Sequence, residues 1–220
     1  MIIAIAIFTL SIFARNHSAQ APRTILDRES LTTSESTTTT NALTTALRTS
    51  DVPGGIAIVS DCAEDRRYVF APSGSTLKDA LDKITFLNPF YTWQLNDGVI
   101  NVAPAIGDPS LLTVLITKLK VTKARSVDDV IGQILALPEV QRRIVELHLT
   151  SGYSRIGMRD LRRLGSVSQS KQRNYMLDLK HVTLREALNA VARGNGRGVW
   201  EYRERHCNGT AEFQLQFLVR

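Results

Sequence analysis

Residues that carry chemistry are scarce in this chain. Its 220 residues include two cysteines and four histidines, and no C-x-x-C, H-E-x-x-H or H-x-x-x-H spacing occurs. Thiol redox catalysis and zinc hydrolysis need side chains held at such spacings, so neither has support, and no cofactor or metal is implied. Charge of one sign is also limited. The formal net charge of +6 is mild for this length; it permits acidic partners without demanding them. A long apolar run is missing as well. MIIAIAIFTLSIFA, at residues 1–14, falls short of the ~20 residues a membrane-spanning helix needs.

That short run matches the core of an export signal instead, and Ala19-Gln20-Ala21 supplies a small-x-small cleavage pattern after it. No Lys or Arg precedes the run, which departs from the usual basic leader. Residues 1–21 are read as a removed signal, so the mature chain is expected in the periplasm or outside the cell. In an oxidising compartment Cys62 and Cys207 are expected to form a disulfide, closing a loop of about 145 residues. The chain-entropy model assigns such a bridge roughly 4–5 kcal/mol.

Residues 22–40 are rich in Ser and Thr and poor in large apolar side chains, so a flexible tether is expected. NALTTALRTS then places Ala42, Leu43, Ala46 and Leu47 on one helical stripe; DVPGG reads as a turn and GIAIVS as a short strand. Shifting the chain by 107 residues lays the segment from Tyr68 onto the segment from Tyr175. Tyr68, Thr76, Leu77, Ala80, Leu81, Asn88 and Trp93 meet identical residues at Tyr175, Thr183, Leu184, Ala187, Leu188, Asn195 and Trp200. Both tryptophans of the chain are paired by this shift. Each copy reads as a short strand, a Thr-capped helix and a Trp-bearing strand with a hairpin partner. The first hairpin turns at Asn96-Asp97-Gly98, whereas RERHCNGTAE reads as a longer loop in the second. Between the copies lie a strand (LLTVLITKLKV), a helix through Val127, Val130, Ile131, Ile134 and Leu135, and a second helix starting at Pro138.

The fold class expected is therefore α+β: two β-α-β-β repeats, their helices packed on small mixed sheets, with an intervening helical segment. The first unit with its preceding helix covers 41–104, the strand, helices and basic segment cover 105–173, and the second unit covers 174–220.

GSTLKDALDKITFLNPFYTWQLNDGVINVAP and LDLKHVTLREALNAVARGNGRGVWEY together resemble the secretin and TonB short N-terminal domain. The shared pattern is an apolar strand, an L-x-x-A-L helix, an aromatic-bearing strand and a hairpin partner. It is mostly core pattern, and Pro72-Ser73-Gly74 interrupts it in the first copy. The resemblance implies a periplasmic module for protein–protein contact, docking onto a secretin, receptor or signalling partner of the envelope. No barrel or secretin segment follows residue 220, so a stand-alone exported module is expected.

The remaining candidates weigh less. GNGRG follows a helix, where the dipole end is negative, so it suits a C-terminal cap at Gly194 or Gly196 and not a phosphate. Arg142, Arg143, Arg155, Arg159, Arg162 and Arg163, with Lys171 and Arg173 beyond, give 139–173 a positive excess, read as a candidate basic face for an acidic partner or a peripheral membrane contact. Only Tyr153 accompanies them, which is poor support for nucleic acid. His148, His181 and His206 define the rival expectation, an envelope hydrolase, and a vestigial stand-alone domain is a third; no spacing brings these histidines to a nucleophile. Both tryptophans are expected to anchor the core.

Overall fold

The computed structural model describes residues 25–30, 36–62, 67–69, 75–151, 175–196 and 198–218. The expected signal 1–21, and Arg155, Arg159, Arg162, Arg163, Lys171 and Arg173 of the basic stretch, lie outside those residues. After a 3-10 turn at Ile25–Asp27 come β1 (Glu29–Ser30), β2 (Ser36–Thr38), α1 (Thr39–Thr49), β3 (Gly54–Ser60), β4 (Arg67–Val69), β5 (Ser75–Thr76), α2 (Leu77–Leu87), β6 (Tyr91–Asn96) and β7 (Val99–Pro104). Then follow β8 (Leu115–Ala124), α3 (Val127–Leu135), α4 (Pro138–Glu146), β9 (Leu149–Ser151), β10 (Tyr175–Thr183), α5 (Leu184–Asn195), β11 (Val199–Cys207) and β12 (Thr210–Leu218). The class is α+β, with five α-helices among the described residues.

The two helices of the sequence repeat form for the same local reasons. Thr76 and Thr183 each accept a hydrogen bond from the backbone N–H three residues on, and Asp79 or Glu186 reaches back to the cap's own N–H. Leu77, Ala80, Leu81 and Ile84 are buried on α2; Leu184, Ala187, Leu188 and Val191 are buried on α5. Gly196, at φ +77°, caps α5 in the left-handed conformation that a Cβ disfavours. The glycine-rich stretch is a helix end.

The structural repeat is larger than the sequence repeat. In the first unit, β2-α1-β3-β4-α2-β6-β7, β2 pairs antiparallel with β4, β6 antiparallel with β7, and β3 parallel with β7. In the second, β8-α3-β9-β10-α5-β11-β12, with α4 inserted after α3, the counterparts pair in the same senses: β8 with β10, β11 with β12, and β9 with β12. Even the first helices match in pattern. Thr38 and Ser126 are the N-caps, and Ala42, Leu43, Ala46 and Leu47 correspond to Val130, Ile131, Ile134 and Leu135.

The units join edge to edge. β3 of the first pairs in parallel with β11 of the second over seven residues, giving one six-stranded sheet ordered β6-β7-β3-β11-β12-β9. On β3, Ile56 and Ile58 belong to the first unit's core and Ala57 to the second's; on β11, Val199 belongs to the first and Trp200 and Tyr202 to the second. Successive strand residues face opposite ways, so α1 and α2 clad one face of the sheet and α3, α4 and α5 the other. Cys62 and Cys207, just past β3 and at the end of β11, are disulfide-bonded with Cα atoms 5.0 Å apart. The bridge pins the seam.

Four expectations change. The stretch 22–40 is not a plain tether where it is described: Ile25 and Leu26 pack against the first core, β1 pairs with β5, β2 with β4, and Thr39 and Thr40 are buried in α1. Threonine suits both strand pairing and the cap at Thr38, which accepts from the Asn41 N–H at 3.3 Å. Gly54 and Gly55 are strand residues, not a turn. RERHCNGTAE is no loop; the strands run on to a two-residue turn at Asn208-Gly209, both at positive φ, as at Asp97-Gly98. The Tyr68 strand, finally, lies in a small separate ribbon with β2.

Candidate functional site at the outer edge of β6

Of the arginines singled out in the sequence, Arg142 and Arg143 lie among the described residues. Arg142 and Arg143 lie on α4 and line a shallow cleft of about 340 Å³ with Ser110, Thr113, Val114, Glu139 and Glu146. Arg143 pairs with Glu146 at 3.1 Å, and Glu139 accepts the Thr117 N–H at 3.2 Å. Carboxylates thus alternate with the guanidiniums, and the described part of this face is mixed in charge.

The histidines do not converge. His148 follows α4 and His181 sits in β10; both are exposed at positive φ. His206 lies on β11 in a row with Glu204 and Tyr202, alternate residues of one face. Its Nε2 is 2.7 Å from Glu204, which also accepts the Tyr202 hydroxyl proton. Burial, then the hydrogen bond and charge of Glu204, hold the Tyr202 phenol well above its ordinary value. Among the described residues no group of three His, Cys, Asp or Glu is placed to hold a metal.

The two tryptophans differ instructively. Each indole N–H donates to the helix residue eleven positions earlier: Trp93 to Asp82 at 2.9 Å, Trp200 to Asn189 at 2.8 Å. Trp200 is fully buried because its ring lies across Gly55 of β3, where an added Cβ would fall 2.0 Å from Cε2 and Cζ2. Trp93 has β7 on one side and, among the described residues, no strand on the other, and it is half-buried, so the expectation of two core anchors holds in full only for Trp200. Lys78, hydrogen-bonded to Asp82, leads the effects that hold this carboxyl below its ordinary value; partial burial opposes it and Trp93 assists.

β6 is the end strand of the sheet. The Ala105 N–H donates to the Phe90 carbonyl at 2.8 Å, and alternation along an antiparallel pair then turns the amides of Trp93 and Leu95 outward, while the Tyr91 N–H donates to the Asn88 carbonyl at 3.2 Å. In the second unit the counterpart of Tyr91 is Gly198, whose carbonyl accepts the Gly54 N–H at 3.1 Å. The free edge of the first unit is therefore the surface that the second unit has already used to bind a strand. Apolar groups crowd beside it: Phe86 is 85% exposed, Phe90 70% and Leu95 38%. A charge-centred search misses this surface; the visible signal was Phe86 and Phe90 standing where the other repeat has Arg193 and Arg197.

Comparisons with protein-family models, curated proteins and solved structures find no match to this chain.

Proposed function

We propose that this protein is an exported, non-enzymatic binding module that docks onto a protein of the cell envelope. One observation carries the reading: two copies of a seven-element α+β unit are fused through a strand edge, and among the described residues nothing pairs with the equivalent edge of the first copy, beside exposed aromatic side chains. Exposed edges with apolar neighbours are protein-docking surfaces by their chemistry, since backbone groups supply affinity and side-chain pockets supply selectivity. The disulfide supports an oxidising compartment. Among the described residues no helix is long and apolar enough to cross a membrane. The resemblance to the secretin and TonB short N-terminal domain supports the same role and points to a secretin, receptor or signalling protein as partner. Affinity capture from an envelope fraction at low salt, with the disulfide-bonded chain as bait, is expected to recover one specific envelope protein. Recovery of nothing above background refutes the proposal.

A further inference from the structure

We infer that the outer edge of β6 binds an extended strand of a partner protein, parallel to β6, with glycine opposite Trp93 and a small residue two positions on. This rests on the docking reading above and adds the place, direction and chemistry of the contact.

The internal seam is the template. At β11, Trp200 faces Gly55 and Tyr202 faces Ala57, with the two strands parallel. The space above the incoming strand is taken by the ring, so that strand must lack a Cβ at the first position, and at the second it carries only the methyl of the fully buried Ala57. On β6, Trp93 and Leu95 stand where Trp200 and Tyr202 stand on β11. Trp93 is tied to α2 by its indole N–H as Trp200 is tied to α5, so the two indoles are anchored alike. The same small-residue rule therefore applies to whatever pairs with β6. Its backbone amides at 93 and 95 are turned out to receive it.

A second copy of this chain is the poorer occupant. Its strand of the fitting pattern, β3, is already paired on both sides, by β7 and by β11. A side chain at the Gly55 position meets the indole ring, so the partner's own glycine is what fits.

The probe is a labelled synthetic peptide of residues 52–60, the segment that fills the β11 edge, with solubilising lysines outside it. It is titrated into the oxidised full chain and followed by fluorescence anisotropy. Saturable binding is expected, weakened at least about tenfold when the peptide carries Gly55→Val, as a steric cost above 1.4 kcal/mol requires. Leu95→Pro in the protein, which removes an outward N–H and leaves the β7 ladder intact, is expected to abolish binding. Equal binding of the two peptides, or none up to millimolar concentration, overturns the inference; this peptide comparison needs no folded variant. Sedimentation at the same concentrations checks the rival occupant: a dimer abolished by Leu95→Pro assigns the edge to a second copy and overturns the partner strand. In the envelope capture, a Leu95→Pro bait that keeps the partner overturns this edge and leaves the docking reading standing. Failure of the unaltered bait overturns the docking reading itself.

Discussion

Replacing Gly55 with alanine tests the seam most directly. The added Cβ would sit 2.0 Å from two ring carbons of Trp200 and 2.5 Å from its Nε1, well inside the ~3.5–4.0 Å of an ordinary contact. The ring has little room to retreat. Its N–H is committed to Asn189, and the Arg185 guanidinium lies 6.0 Å from the ring centroid. Overpacking of a closed core costs roughly 1–3 kcal/mol, against a backbone-entropy gain of about 0.5–1 kcal/mol from losing a strand glycine. The difference, a net loss of roughly 1–2 kcal/mol, lowers Tm by about 2–8 °C for a chain of this size. Gly194→Ala is the matched control: nothing lies within 4 Å of its added Cβ, so that helix substitution is expected to be neutral or stabilising. Differential scanning calorimetry measures both. In a double-mutant cycle, Trp200→Leu is expected to make Gly55→Ala nearly harmless, because the clashing ring is gone. Gly55→Ala within about 0.5 kcal/mol of the parent, or no coupling to Trp200, refutes the account of the seam.

Three further outcomes are expected. Cys62→Ser with Cys207→Ser should cost up to about 4–5 kcal/mol in the chain-entropy limit, and hydrogen exchange should then rise first along β3 and β11, with β8 and β10 less affected; a uniform rise contradicts the placement of the bridge on the seam. Thr183→Ala should cost about 1 kcal/mol as a lost cap, with Thr183→Ser recovering most of it on a thermal melt. The Asp82 carboxyl has a folded-state pKa below its unfolded value, so the stability it contributes is present above that unfolded value and is lost as pH falls through the folded one. The stability gap between parent and Asp82→Asn, from urea melts, should narrow as pH falls from neutral into that acid range; a gap independent of pH contradicts the sign.

How much of this was legible in sequence depends on what each element relies on. The capping boxes at Thr76 and Thr183, the apolar stripes after them and the Trp pair are local signals, and all three stand in the structure. The first half of the repeat left no such trace. α1 and α3 share only the spacing of apolar residues, and the insertion of α4 gives the two halves different offsets. Gly54-Gly55 read as a turn because glycine usually punctuates strands; here a tryptophan some 145 residues away supplies the reason for it. The binding surface was hidden for a related cause. Trp93 and Trp200 look alike in sequence, and only the strand lying beside one of them tells the two apart.

The seam also sets a clock. β3 is made early and β11 late, with 145 residues between the cysteines that follow or end them. At the usual ~5–20 residues per second of synthesis, β3 waits roughly 7–30 s for its neighbour. Through that interval the first unit can assemble its own core while showing an alternating apolar edge, the kind of strand that recruits wrong partners. Folding must keep GGIAIVS out of such pairings until β11 is made, so the seam leans on whatever holds its unfinished edge apart.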